Sequence, residues 1–237
     1  MSAARGRTWV HLVPMGAVLG VLAFLAGLSI INRPPDRGVH PLTGRPIAGI
    51  ATDARWMDRA SREQEELPDL AIELIGVRPG MTVADVGAGS GYMTLRLARR
   101  VGPAGQVYAN DLQPGLLAMI DRKAKLEKLS SIHLIVGTRE DARLPERAID
   151  LELLVDAYHE FSQPQSMLRS LRRALKPGGS LVLIEYRKED PDVPIAASHR
   201  MSAADVRTEV QAEGFVFDQA IERLPRQHIF VFRTAKE

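Results

Sequence analysis

Three glycines at alternating positions follow an acidic residue in the first half of the sequence. They form the pattern D-x-G-x-G-x-G, made of Asp85, Gly87, Gly89 and Gly91. A dinucleotide-binding loop has the spacing G-x-G-x-x-G, and a phosphate-binding loop ends in Gly-Lys followed by Ser or Thr. Neither spacing is present, so the loop does not predict a polyphosphate ligand.

The charges around this loop indicate a different ligand. A carboxylate before the loop favours an ammonium group, and a helix that begins after Gly91 favours a carboxylate at its N-terminus. A ligand with both groups is an amino acid. Asp111 ends the next predicted strand, twenty residues after Gly91, where a carboxylate typically accepts hydrogen bonds from ribose hydroxyls. An amino acid joined to a ribose is S-adenosylmethionine.

A second group of polar residues follows a later apolar run, residues 149–155, in the stretch DAYHEF. His159 is the candidate general base because the unperturbed pKa of histidine lies near neutrality. Glu160 is predicted to orient it or to hold the substrate. Adjacent residues on an extended strand point in opposite directions, so we expect His159 and Glu160 not to share one ligand.

Other polar residues at predicted strand ends are candidates for substrate binding: Tyr158, Glu185, Tyr186, His199 and His228. The histidines and Glu185 are spaced along the chain in a way that matches no zinc template. No metal site is therefore predicted.

The elements that must position these residues alternate between strands and helices. Apolar runs predict strands at 82–86, 106–110, 132–136, 149–155, 180–184, 215–220 and 228–233. Helices of ten to fifteen residues between strands are typical of βαβ units, with a sheet covered on both faces. The predicted fold is α/β, a doubly wound, mostly parallel, seven-stranded sheet of the Rossmann-like kind, with ligands beyond the carboxyl ends of the strands.

Four segments resemble the motifs of class I S-adenosylmethionine-dependent methyltransferases, in order and at the right separations. They are VADVGAGSGYMTLRLA, VYANDL, GTREDARLP and LKPGGSLVLIE. The resemblance covers residues 67–234 and is greatest to the small single-domain group that contains the ubiquinone/menaquinone-biosynthesis C-methyltransferases.

The resemblance implies roles for the motif residues. Asp85 and the three glycines of the loop would border the methionine part of the cofactor, and Asp111 the ribose. Asp141 would face the adenine, with Glu140 as its rival because TRED holds one residue more than the commonest form.

The N-terminus predicts a membrane segment. Residues 13–31 carry no charge and are long enough to cross the roughly 30 Å hydrocarbon core of a bilayer as a helix. The predicted organisation is an anchor or signal over 1–31, a linker with a polar helix over 32–66, and the methyltransferase domain over 67–237. A cleaved export signal and a merely apolar helix are the alternatives for the first segment. The polar helix, 53–67, is either a packing helix or a lid over the substrate.

Composition excludes several other classes of function. The net charge of +2 gives no electrostatic indication of nucleic-acid binding, and the absence of cysteine excludes disulfides, thiolate zinc sites and a cysteine nucleophile.

The sequence thus predicts a single-pass membrane methyltransferase that acts by direct in-line transfer on a small-molecule acceptor. The membrane segment suggests a lipophilic acceptor. The domain is expected on the cytoplasmic side, where S-adenosylmethionine is made, unless a cleaved signal exports it. The alternatives are a non-catalytic S-adenosylmethionine-binding module and an NAD-dependent oxidoreductase. The glycine spacing and the lack of a Tyr-x-x-x-Lys pair argue against the oxidoreductase.

Overall fold

A computed structural model describes residues 38–234 of the chain. The predicted anchor over 13–31 and the first residues of the predicted linker lie outside this part. Within residues 38–234, no helix combines the length and the apolar character needed to cross a bilayer.

The described residues form α-helices that alternate with strands from residue 82 onward. The helices are α1 (Ala54–Met57), α2 (Arg62–Glu66), α3 (Pro68–Leu74), α4 (Tyr92–Val101), α5 (Pro114–Leu126), α6 (Pro164–Ala174) and α7 (Ala203–Ala212). Short 3-10 helices lie at Tyr158–Glu160 and Ala197–His199. Proline is the first residue of α3, α5 and α6, where its missing N–H leaves no hydrogen bond unmade.

The strands form one seven-stranded sheet in the order β3-β2-β1-β4-β5-β7-β6. They are β1 (Thr82–Val86), β2 (Gln106–Asp111), β3 (Ile132–Val136), β4 (Ile149–Val155), β5 (Leu175–Tyr186), β6 (Phe215–Ile221) and β7 (Gln227–Thr234). In this sheet β7 runs antiparallel to the other six strands, which are parallel to one another. The predicted mostly parallel, doubly wound sheet is confirmed. Its strand order reverses between β1 and β4, the position at which such sheets bind ligands.

Both faces of the sheet are buried under helices. On β1, Val83 packs in one apolar cluster with Leu97 of α4, and its neighbour Ala84 packs in another with Leu168 and Leu171 of α6. All five side chains are fully buried. Alternate residues of a strand face opposite sides, so this central strand is fixed in register by two separate cores.

Residues 38–66, which we call the N-terminal strap, pack against the rest of the described chain. The buried guanidinium of Arg45 donates to both carboxylate oxygens of Glu209 on α7, at 3.1 and 2.9 Å. The Ala48 amide donates to the His159 carbonyl at 3.0 Å. The predicted domain boundary at residue 67 therefore lies inside one compact unit.

The prediction of one helix over 53–67 is wrong, because the strap forms two short helices, α1 and α2, with a turn between them. Asp58 in this turn accepts hydrogen bonds from Ser90 at 2.6 Å and Lys123 at 2.7 Å. Leu67 ends α2 in the left-handed conformation, with φ of 46°. Contacts with distant residues thus override the helical preference of this segment.

Strand β5 begins at Leu175, five residues before the predicted start. Pairing with β4 is irregular there: Leu175 lies opposite Ile149, and regular pairing resumes at Leu151 and Ser180. The Lys-Pro-Gly-Gly stretch, which contains the left-handed Gly178, is the irregular part.

Candidate active site

A cavity opens at the carboxyl ends of β1 and β2, and we call it the glycine-loop cavity. Of the residues predicted to bind the cofactor, Asp85, Gly87, Gly89 and Asp111 line it. It lies where the strand order reverses, as expected for a ligand site in this fold.

The glycines of the loop are required by backbone conformation and by close packing. Gly87 has φ of +74°, and a Cβ built there would lie 2.7 Å from Cβ of Ala157. Gly91 has φ of +86°, and its Cβ would lie 2.8 Å from Cγ1 of Ile120. L-residues other than glycine rarely adopt this conformation. Gly91 was predicted to border the cofactor, but it lies outside the cavity wall, where it caps α4.

Asp85 is a buried carboxyl at the base of the glycine-loop cavity. Its Oδ2 accepts a hydrogen bond from Thr94 Oγ1 of α4 at 2.5 Å. Burial raises the pKa of Asp85 to about 6, against the opposing effects of Thr94 and the Arg62 guanidinium. A cationic ligand group in the cavity would complete the charge balance of this carboxylate.

Asp111 holds the opposite side of the loop. Its Oδ2 accepts from the Gly89 amide at 2.9 Å and its Oδ1 from the Gln113 amide at 2.8 Å. Burial raises the pKa of Asp111, and these amide hydrogen bonds oppose the shift. One carboxylate therefore both shapes the loop and contributes to the wall.

Asp141, predicted to face the adenine, does not line the cavity, and neither does its rival Glu140. The Asp141 carboxylate accepts a hydrogen bond from Ser170 Oγ of α6 at 2.6 Å, which lowers the pKa of Asp141. The Asp141 side chain thus holds the loop that follows β3 against α6. The same loop contributes Thr138 and Arg139 to the cavity wall.

A second cavity lies beside the first, under the strap, and we call it the histidine cavity. His159 and His199 line it together with apolar residues of the strap and of the loop before His199. The two cavities have five residues in common: Ile50, Ala51, Trp56, Asp156 and Glu160. Two ligands, one bound in each cavity, would therefore contact each other near these residues.

His159 is held between a buried carboxylate and a second histidine. Its Nδ1 lies 2.6 Å from Glu185 Oε2, and its Nε2 lies 3.0 Å from Nδ1 of His199. His159 is 2 % exposed and Glu185 is fully buried. If Nδ1 carries the proton toward Glu185, Nε2 is the acceptor and Nδ1 of His199 the donor in the contact between the two rings.

The expectation that His159 and Glu160 point in opposite directions is wrong. They lie in the 3-10 helix Tyr158–Glu160 and not on an extended strand. Glu160 Oε1 lies 3.9 Å from both His159 Nε2 and His199 Nδ1. Both carboxylate oxygens of Glu160 also accept from the Ala51 amide, at 3.0 and 3.1 Å. Burial raises the pKa of Glu160 to about 7, and His159 opposes this shift.

Asp156 lies at the junction of the cavities and was not singled out from the sequence. It has φ of 49°, a strained conformation for a residue other than glycine. Its Oδ2 accepts from Gln227 Nε2 at 2.9 Å, while Oδ1 has no hydrogen-bond partner among residues 38–234. Burial raises the pKa of Asp156 well above its usual range, and the nearby Glu66 adds to the shift. Its position directly after β4 was the available signal.

Three residues predicted to bind substrate lie outside both cavity walls. The fully buried Tyr158 packs edge-on against Phe161. Glu185 is used by the backbone amide of Tyr158 and the ring of His159. His228 lies at the start of the antiparallel β7, where Glu222 and Glu189 contact its ring nitrogens. Their side chains are already occupied by other parts of the protein.

Tyr186, also predicted to bind substrate, does line the histidine cavity. Its hydroxyl donates to Glu66 Oε1 at 2.8 Å and accepts from Arg59 Nη2 at 3.1 Å. These two residues of the strap therefore fix the position of the Tyr186 ring.

The strap supplies walls that the sequence did not assign. Trp56 and Met57 of α1 line the glycine-loop cavity, and Trp56 extends into the histidine cavity. Met57 Sδ would lie 2.9 Å from a Cβ on Gly89, so this side chain rests on the glycine loop. The segment therefore packs on the glycine loop and also forms part of both cavity walls, so the packing and lid interpretations both stay open.

Comparison with known sequences identifies one matching family, described as a methyltransferase domain, over residues 83–179. Among curated proteins, the ubiquinone/menaquinone biosynthesis C-methyltransferase UbiE of Ectopseudomonas mendocina is 33 % identical over 128 residues, 53 % of this chain and 49 % of that protein. UbiE of Shewanella sediminis is 30 % identical over 123 residues, 52 % and 49 % of the two chains. The chain spans about half the length of these curated relatives.

Solved structures share the fold. A SAM-dependent methyltransferase from Aquifex aeolicus superimposes with a TM-score of 0.73 at 25 % identity, over 77 % of this chain and 97 % of that one. The 4+2 cyclase SpnF has a TM-score of 0.62 at 20 % identity, over 93 % and 94 % of the two chains. The cyclase likeness concerns the fold alone, and one fold serves several reactions.

Proposed function

We propose that this class I S-adenosylmethionine-dependent methyltransferase domain transfers a methyl group from a cofactor in the glycine-loop cavity to a small-molecule acceptor in the histidine cavity. The matched family, the fold and the Aquifex structure confirm the predicted class and its cofactor, S-adenosylmethionine. The observation that carries the proposal is the shared wall: Asp156 and Glu160 border both cavities.

The residues of the glycine-loop cavity suit the charges of the cofactor. The carboxylate of Asp85 would pair with the ammonium group, and the N-terminus of α4 would face the carboxylate. Asp111, one strand further, would accept from the ribose hydroxyls. Thr138 and Arg139, which line the cavity, would contact the base, the role that the resemblance assigned to Asp141.

The histidine cavity suits an acceptor with an apolar body and a polar reacting end. Ile50, Trp56 and Ile195 form apolar wall, while His159 and Glu160 present polar atoms. The relatives named for ubiquinone and menaquinone biosynthesis agree with such an acceptor. We therefore propose a lipophilic ring compound that bears an oxygen next to the reacting atom.

The methyl transfer itself requires few catalytic groups from the protein. The acceptor atom attacks the methyl carbon, the carbon–sulfur bond breaks, and its electron pair stays on sulfur, which becomes a neutral thioether. Holding the two reactants in line near contact distance supplies most of the rate. Where the acceptor must lose a proton, His159, oriented by Glu185, is the proposed base.

We also propose that residues 13–31 tether the enzyme to a membrane, with the domain on the cytoplasmic side. Tethering would raise the effective concentration of enzyme near a membrane-soluble acceptor. Protease protection of the domain in sealed vesicles, compared in the two orientations, tests the side on which it lies.

The cofactor assignment is tested by calorimetric titration of the full chain with S-adenosylmethionine, S-adenosylhomocysteine and NAD. We expect both sulfur ligands to bind and NAD not to bind. Asp111→Ala should abolish binding because it removes both a cavity wall and the hydrogen bond to Gly89. Asp121→Ala, at an exposed ion pair with Lys125, is the matched control. Binding of NAD, or none of the three, would contradict the cofactor assignment.

Transfer is tested separately with S-adenosylmethionine carrying a labelled methyl group and a panel of phenols, quinols and enols with alkyl tails. Label in one class of acceptor supports the proposal. Tight cofactor binding with no transfer to any of them, in the presence of first-row divalent cations, would favour the non-catalytic binding module.

A further inference from the structure

His159, Glu160 and His199 bring three potential metal-ligand atoms to one point of the histidine cavity. The two imidazole nitrogens are 3.0 Å apart, and Glu160 Oε1 is 3.9 Å from each. In a triangle with these sides, the point equidistant from the corners lies about 2.1 Å from each, which equals the usual zinc–nitrogen and zinc–oxygen bond lengths.

From this arrangement we infer that His159, Glu160 and His199 form a binding site for a first-row divalent cation, open to the acceptor side. The inference rests on the proposed function only in placing the acceptor in the histidine cavity. Two imidazoles and one carboxylate suit Zn²⁺ or Fe²⁺, whereas Mg²⁺ and Ca²⁺ prefer sites made of oxygen alone.

The surroundings orient two of the three ligands, His159 and Glu160, as metal sites require. Metal-bound histidines usually donate their other ring N–H to a carboxylate, which fixes the tautomer. Glu185 Oε2, 2.6 Å from His159 Nδ1, is placed to accept that proton. The Ala51 amide holds the Glu160 carboxylate from the strap. The site therefore joins three parts of the chain that are distant in sequence.

The arrangement also leaves room for a further ligand. All three residues line the histidine cavity, so a cation bound to them would keep a coordination position open toward it. An oxygen of the acceptor in that position would lose its proton to solvent water more easily, because a bound cation stabilises the oxyanion. In this arrangement His159 acts as a ligand, and the cation takes over the activation assigned to the base.

The test uses the full chain without a histidine tag, stripped with a chelator and titrated with Zn²⁺ by calorimetry. We expect one equivalent of Zn²⁺ per chain and no binding of Mg²⁺. His199→Ala should weaken the Zn²⁺ affinity at least tenfold, and it is the primary variant because the side chain of His199 is 33 % exposed and its removal spares the core. Glu160→Gln should weaken the affinity less, since an amide oxygen still coordinates.

His133→Ala on the exposed strand β3 is the matched control and should bind Zn²⁺ as the parent does. Either no stoichiometric Zn²⁺ binding, or binding that His199→Ala leaves unchanged, would overturn the inference and leave the two histidines as a simple hydrogen-bonded pair. Titration of the same samples with S-adenosylhomocysteine separates the two proposals. Cofactor binding without Zn²⁺ binding overturns the cation site alone, and Zn²⁺ binding without cofactor binding overturns the methyltransferase assignment alone.

Discussion

The two cavities share a wall but are built in different ways. The glycine-loop cavity takes its polar residues from consecutive strand ends of the sheet, and Asp111 bonds Gly89 across only 22 residues. The histidine cavity joins the strap to two one-turn helices, and Ala51 bonds Glu160 across 109 residues. The proposed cofactor site thus depends on local geometry, whereas the proposed acceptor site depends on parts of the chain that the whole fold must bring together. Substitutions on each side should therefore have separable effects.

The largest effect is expected from Gly87→Ala, on the cofactor side. The added Cβ would lie 2.7 Å from Cβ of Ala157, and the loop must move. A displacement of about 1 Å costs on the order of 100-fold in rate, so we expect that loss in transfer together with weaker binding of S-adenosylhomocysteine by calorimetry. Gly80→Ala is the control: φ is also positive, at +82°, but nothing lies within 4 Å. It should cost about 1–2 kcal/mol of stability and leave transfer unchanged.

On the acceptor side, Glu185→Gln should lower kcat about 10- to 100-fold, because the amide holds the ring of His159 less firmly than the carboxylate does. The affinity for S-adenosylhomocysteine should not change, since Glu185 lies outside the glycine-loop cavity. Glu189→Gln, which alters a similar contact with His228 outside both cavities, is the control. A parallel loss of cofactor affinity in Glu185→Gln would show that the two sides are not separable.

The pH dependence of cofactor binding tests the role of Asp85 on the cofactor side. Burial raises the pKa of Asp85 to about 6, and only its ionised form pairs with the ammonium group of the cofactor. Affinity should therefore be highest between about pH 7 and the pKa of the ammonium group, and should fall about tenfold per pH unit below about pH 6. Asp85→Asn should bind weakly at every pH. An unchanged slope in Asp85→Asn would assign the titration to another group.

The smallest effect on cofactor binding should come from the substitution of a residue that lines neither cavity. Glu152 in β4 is fully buried and has no hydrogen-bond partner among residues 38–234, and burial raises its pKa well above 4.5. The folded protein then holds this proton more tightly than the unfolded chain, so stability falls as pH rises above 4.5. Glu152→Leu should raise the free energy of unfolding by about 1–3 kcal/mol at pH 7, with a smaller gain at pH 4.

Cofactor affinity should be the same before and after that substitution, as measured by calorimetry. A loss of affinity in Glu152→Leu would show that this carboxyl serves the site through the sheet.

The contrast between the two cavities also explains which parts of the structure could be predicted from the sequence. The sheet, the glycine loop, Asp85 and Asp111 were predictable because apolar periodicity and short motifs act locally. Motif position does not reveal that the carboxylate of Asp141 accepts a hydrogen bond from Ser170. On the acceptor side, His159 and Glu160 were identified as candidates from their residue types. Their proximity depends on a 3-10 turn that no local sequence pattern predicts.

The strap was the least predictable part. Its two helices are too short to show a periodic face, and side-chain contacts with distant residues decide where they end. Trp56 and Met57 stood together in the predicted polar helix, which was the available signal for a wall.

The strap also bears on the timing of catalysis. Because Ile50, Ala51 and Trp56 lie in the walls of both cavities, we expect the spent cofactor and the methylated product to leave past the same segment. Closure of such segments often makes release slower than the chemical step. Rapid mixing should then give a burst of about one methylated product per enzyme before the slower steady state. Asp58→Ala, which removes the contacts of the strap with Ser90 and Lys123 and leaves its other contacts in place, should speed the steady phase more than the burst.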